Sequence, residues 1–285
     1  MRITSRPRGA LRGAAAAVGA ALLGVTMALA PVQAAEREAC REFLETTGFD
    51  VAITSVQQEV MSAPGISGQE AEDFGSQYVA LAEEVFDPEV MLERAVDMME
   101  AVLSDELVGH GAGFYASDLG QRLVAVENAS HLTDAETRRE AGEAIVAKLM
   151  ETNPERLEDY QAMMDAIGGV DASLRALTEV QIRYLMAAMA AGTMDFGLSE
   201  AELRALIAAQ AEEMRAEMLR NSIVGAAWTY RDISDDDIRA YREALEQPLM
   251  RQVYEALNAI QYQVMAERYE LLAGRLAELS PQVDL

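Results

Sequence analysis

The chain is poor in cysteine and histidine, and that excludes most of the chemistry these residues carry. Cys40 is the single cysteine, so no internal disulfide can form. Arg37 occupies the place, three residues earlier, where a lipidation signal needs an apolar side chain. Phe43 and Leu44, one turn on, favour an apolar helix contact for Cys40; an intermolecular disulfide in an oxidising compartment is the alternative. His110 and His131 are the only two histidines and lie far apart, with no cysteine or acid at ligand spacing. That argues against structural zinc and against a Ser–His–acid triad. Basic charge is also scarce, at 23 Lys plus Arg against 48 Asp plus Glu, a net charge of −25, with Lys148 the one lysine. A chain this acidic repels nucleic acid and anionic lipid headgroups.

Long apolar runs are missing after the first residues. Arg2, Arg6, Arg8 and Arg12 form a basic start, and a charge-free stretch follows from Gly13 to Ala30. Pro31 ends it, and Val32-Gln33-Ala34 supplies small residues for a signal peptidase, with cleavage after Ala34 or, as the close alternative, Ala35. The stretch is Ala-rich and short of the ~20 residues a spanning helix needs. Residues 1–34 therefore read as a signal peptide, and the expected location is the periplasm, with no stable membrane insertion after cleavage.

Period-two alternation is absent as well, and apolar residues recur at spacings of three and four, as in Leu174, Leu177, Leu185 and Met189. Helix starts follow the S/T-x-x-acid pattern at Ser67–Glu70, Thr133–Glu136, Ser199–Glu202 and Ser234–Asp237. Asp87-Pro88 and Asn153-Pro154 place a capping residue before a proline at the first helical position. Breaks are expected at Gly48, Ala63-Pro64-Gly65, Gly168-Gly169 and Gly192. The fold class is all-α.

The second half repeats the first. Leu103-Ser104-Asp105-Glu106 and Ile233-Ser234-Asp235-Asp236 align at one constant offset, which also matches Leu119 with Leu249, Asn128 with Asn258 and Ala129 with Ala259. This predicts two related multi-helix bundles packed in tandem, with residues 35–168 as the first repeat unit and 169–285 as the second. No Pro/Ser-rich linker separates them, so the two are expected to pack together.

Gly113-Phe114-Tyr115-Ala116-Ser117-Asp118-Leu119-Gly120, after the helix start at Leu103–Leu107, resembles the hallmark of an exported bacterial family, domain of unknown function 2059. That hallmark is an aromatic pair, then Ser, usually Pro, a small or apolar residue and Gly. The first copy keeps Phe114, Tyr115, Ser117 and Gly120 but has Asp118 for the proline; the second keeps Pro248 and loses the aromatic pair and the glycine. The resemblance implies an all-helical exported domain in two copies and lends no activity. Physically the motif builds a helix–corner–helix, with Ser117 or Gln247 able to cap and Asp118 or Pro248 suited to the next first turn.

Other constellations give way to plainer readings. Asp232, Ser234, Asp236 and Glu243 fall at calcium-loop spacing, but Asp237 stands where the loop needs glycine. Gly109-His110-Gly111-Ala112-Gly113 suggests a phosphate loop, yet its repeat counterpart, Arg239–Glu243, is ordinary helix. Trp228-Thr229-Tyr230 ends a long helix and is expected to pack against Tyr241 or Tyr254. Met186-Ala187-Ala188-Met189 could offer two thioethers to Cu(I), but methionine is first a core filler, and flexible thioethers also line grooves that accept varied apolar partners. No catalytic, cofactor or metal residue is assigned. The expected function is a non-enzymatic interaction module that holds a protein partner or apolar segment in a Met/Ala-rich groove. The alternative is a carrier of a small apolar or lipid-like ligand within a bundle. No nucleic-acid partner is expected, and an oligomer is compatible with the composition.

Overall fold

A computed structural model describes residues 35–62, 71–194 and 196–276, which contain thirteen α-helices and no strand. The signal segment expected at 1–34, the break at Ala63-Pro64-Gly65 and the cap at Ser67–Glu70 lie outside the described residues. Six helices come first: α1 (Arg37–Thr47), α2 (Phe49–Ser62), α3 (Ala71–Val85), α4 (Pro88–Val102), α5 (Asp105–Tyr115) and α6 (Asp118–His131). Then α7 (Ala135–Thr152) leads to α8 (Pro154–Ala166), α9 (Gly169–Ala190), α10 (Glu200–Ala208), α11 (Ala211–Thr229), α12 (Asp235–Leu245) and α13 (Pro248–Leu276).

Caps set most of these boundaries. Asp87 accepts from the amides of Glu89 (2.9 Å) and Val90 (3.1 Å), with Pro88 opening α4. Ser199 and Glu202 form a reciprocal capping box at α10. Two starts depart from the sequence reading. Thr133 donates its hydroxyl back to Ala129 O (2.7 Å) and so finishes α6, which leaves Asp134 to cap α7 by accepting from Thr137 N (2.9 Å). Asn153 makes no cap bond; its amide donates across the fold to Asp235 (2.9 Å).

The two halves pack by matching rules. In the first, α1 lies on α4 and α5 while α2 lies on α3 and α4; in the second, α8 lies on α11 and α12 while α9 lies on α10 and α11. Gly48 joins α1 to α2 at φ 75°, and Gly168 joins α8 to α9 at φ 118°, a region that L side chains avoid. The sequence-matched Asn128 and Asn258 sit against these two turns, Asn128 beside Gly48 and Asn258 donating to Ile167 O (2.7 Å).

All described residues fall in one compact unit, and the turn at Gly168-Gly169 lies inside it. One continuous apolar core draws Phe43, Phe86, Met91 and Leu123 from the first half and Tyr160, Ile182, Ile238 and Val264 from the second. Helix α13 makes much of this continuity, packing along α9 and also against α3, α4 and α5. Its Tyr269 meets Phe86 (ring centroids 5.1 Å) and Tyr184 (6.1 Å), both edge-on. Arg94 of α4 donates two hydrogen bonds to Glu267 of α13 (2.7 and 2.8 Å), which holds that carboxyl down to about 2. Helix α7 packs on α11 and α8, both of the second half. It approaches α11 closely at Gly142, where a β-carbon would stand 2.7 Å from Val224 Cγ1.

Several large apolar side chains remain exposed, among them Leu132, Met150, Val102 and Leu206, but they belong to separate helices and turns. No helix among the described residues is long and apolar enough to cross a membrane.

Candidate functional site

The two corners singled out in the sequence carry the site. At the first, Ser117 accepts from Gly120 N (3.1 Å) and donates to Phe114 O (2.6 Å), so α5 turns directly into α6. Gly120 has no room for a side chain: a β-carbon there would lie 2.5 Å from Tyr115 Cα and 2.6 Å from Tyr115 O. The turn lets α5 end on Phe114, stacked on Tyr241 (5.8 Å), and on Tyr115, which is buried. At the second corner Pro248 is the first residue of α13, and the connected helices supply Tyr241 and Tyr254. Tyr230, at the end of α11, meets Tyr241 edge-on (6.0 Å), whereas Trp228 lies under the Arg231 guanidinium (3.7 Å).

Four tyrosine hydroxyls converge with one carboxyl. Tyr230 donates to Glu127 Oε1 (2.7 Å) and Tyr241 donates to the same oxygen (3.0 Å). Tyr115 lies 2.9 Å from the Tyr241 hydroxyl and in hydrogen-bond contact with that of Tyr254. Each hydroxyl has one proton, so with Glu127 ionised the chain runs one way: Tyr254 donates to Tyr115, Tyr115 to Tyr241 and Tyr241 to Glu127. Burial raises the Tyr115, Tyr230 and Tyr241 hydroxyls well above the phenol range, and the Glu127 charge adds to this. Burial also raises the Glu127 carboxyl, against the two tyrosine donors that pull it down.

This network forms one wall of a cavity of about 350 Å³, near the small end of the range for ligand pockets. Phe49, Met163, Met164, Ile167 and Leu245 make its apolar sides. Asn128, His131, Arg138, Asn258 and Gln261 add polar groups, so the cavity draws on both sequence repeats and on α7. Glu127 is deep in the fold yet only partly covered, because its free surface faces this space. Among the described residues no hydrogen bond reaches its second oxygen. His131 is held below the usual imidazole range, first by burial and then by the Arg138 charge. Arg138 and Arg139 are neighbours with opposite fates. Arg139 pairs with Glu136 (2.5 Å) and Glu143 (2.7 Å), whereas the Arg138 Nε is buried without an acceptor and Arg138 forms no ion pair with a described carboxylate.

Of the residues singled out in the sequence, Tyr115 belongs to the network beside the cavity, while Phe114, Ser117, Gly120 and Pro248 form the corners that place it. Met186 and Met189 are half-buried on α9, Met186 packed against the core, and neither lines the cavity. Glu127, Tyr160, Tyr230, Tyr241, Tyr254 and Arg138 were not singled out as site residues. A signal existed for Glu127: it follows Leu123 and Val124 on the buried face of α6, and the repeat offset aligns it with buried Leu257.

A carboxyl raised by burial is a burden on folding. Its folded value lies above its unfolded one, so stability is full below the unfolded value and falls as pH rises through the folded value. Glu127→Gln is therefore expected to melt higher than the parent near pH 8, with the gain shrinking towards pH 4. Equal melting at pH 8, or a gain that grows in acid, would show that the carboxyl is not strained by its site.

A scan against protein-family models finds no match to the chain, and neither the curated proteins nor the solved structures contain one.

Proposed function

We propose that this protein is an exported, non-catalytic carrier, built from a duplicated six-helix unit, that holds one small and mainly apolar ligand in the cavity between its repeats. The carrying observation is the cavity itself: apolar sides, a few convergent polar groups and a buried carboxyl with perturbed affinity for its proton. Duplication is supported by the matched packing of α1–α6 and α8–α13, and by the paired turns at Gly48 and Gly168 with Asn128 and Asn258 beside them. On this reading the junction between units falls in α7, ahead of Asn153, rather than at Gly168-Gly169. Export rests on the basic and apolar residues before Ala35, and membership of domain of unknown function 2059 rests on the corner motif alone. What supports the carrier reading is a cavity lined by Met163 and Met164, which Met186 and Met189 do not reach.

The test is native mass spectrometry of the chain released gently from its own periplasm. The expected spectrum shows a small-molecule mass above that of the bare chain, lost in Ala226→Phe, which fills the cavity. A bare monomer from the parent protein overturns the carrier, and a second polypeptide in its place points to the protein-partner mode.

A further inference from the structure

Resting on the carrier reading, we infer that the ligand is a small apolar zwitterion, such as an apolar amino acid or short peptide, with its ammonium on Glu127 and its anionic group on Arg138. The two side chains line one cavity and carry opposite charges, yet they do not pair with each other. Glu127 spends Oε1 on two tyrosines, and no described group occupies Oε2. Arg138 lines the same cavity and forms no ion pair with a described carboxylate, in a chain where acids outnumber bases by two to one and the adjacent Arg139 holds two of them.

The bridging molecule must match both ends and the space between. An uncharged apolar ligand fills the volume but displaces water from a carboxylate and a guanidinium and leaves both unpaired. A simple cation satisfies Glu127 and is repelled by Arg138; a simple anion does the reverse. A zwitterion satisfies both with no change in net charge, and its apolar body lies against Phe49, Met163, Met164 and Ile167.

Isothermal titration of the full-length mature protein tests this with four probes of one side chain. L-leucine and leucyl-leucine carry both charges, leucinamide lacks the carboxylate and N-acetylleucine lacks the ammonium. One or both zwitterions should bind, with each singly charged analogue at least about tenfold weaker than the better of them, the effect of one charge-assisted hydrogen bond. Which zwitterion is tighter reports the span between the two charged groups. Arg138→Gln should erase the preference over leucinamide and keep that over N-acetylleucine; Glu127→Gln should do the converse. Leucinamide or N-acetylleucine binding as tightly as the zwitterions overturns the inference, and this arm needs no variant. If a ligand mass is found on the native chain but neither zwitterion binds, the inference falls and the carrier reading stands. A chain with no ligand mass removes both.

Discussion

Arg156→Met is expected to lower the unfolding free energy by about 3 kcal/mol or more, read as a shifted midpoint in urea with unchanged slope. Arg156 is 8% exposed, and every nitrogen of its guanidinium has an acceptor. It donates to Tyr160 Oη (2.8 Å), to Tyr230 O and Ile233 O (both 2.7 Å), and to Asp235. The two carbonyls come from the end of α11 and the turn before α12, so one side chain of α8 fixes the corner where Tyr230 stands. Methionine keeps the stem packed but strands the Ile233 carbonyl and the tyrosine hydroxyl, while Tyr230 O keeps only the Ile233 amide (3.0 Å). Asp235 itself stays part-solvated and keeps its bond from Asn153, so its share of the loss is small. Arg156→Lys should recover less than half, because an ammonium lacks the planar fork that reaches four acceptors in one plane. A loss below 1 kcal/mol for Arg156→Met would mean that water replaces the guanidinium at this corner.

Gly120→Ala has a comparable expected cost, about 3 kcal/mol, or roughly 6–12 °C in Tm. Alanine normally favours a helix over glycine, and at Gly113, where an added β-carbon meets nothing within 4 Å, the same change should raise stability slightly. At Gly120 the methyl meets the backbone of Tyr115, which cannot rotate away as a side chain would. Either α6 swings outward or α5 loses its last turn, and each moves Tyr115 off Tyr241 and Tyr254. Gly113→Ala is the internal control, since it shares the helix propensity gain but not the collision. Similar melting of the two variants would refute the close approach.

The fold class and the corners were legible because they depend on local chemistry. Spacings of three and four, the serines at 104, 117, 199 and 234, and Pro88 each act within a turn or two, and each stands at a helix start. Thr133 and Asn153 misled because both residues have side chains with a choice. Thr133 could cap forward or bond backward to Ala129, and the local backward bond won; Asn153 could cap or reach Asp235, and the tertiary bond won. The cavity was not legible in the same way. Glu127, Arg138, Tyr160 and Tyr254 are brought together only by how α6, α7, α8 and α13 close on one another, and no local period encodes that. Arg138 left a faint trace, in that Ala141 and Gly142 follow it where Arg139 has Glu143.

Helix α13 is 29 residues long, roughly 43 Å at 1.5 Å per residue. It is the last of the described helices, and it covers faces of α3, α4 and α5 that were made long before it. The first half therefore has no finished core until α13 has been synthesised. Folding cannot proceed unit by unit as the polypeptide emerges, which is the usual course for tandem domains. A ribosome stalled before α13 would release a chain with an uncovered seam on both halves, open to chaperones, proteases and other copies of itself. An order of events in which the chain is completed and translocated first, and packed afterwards, fits the export proposed above.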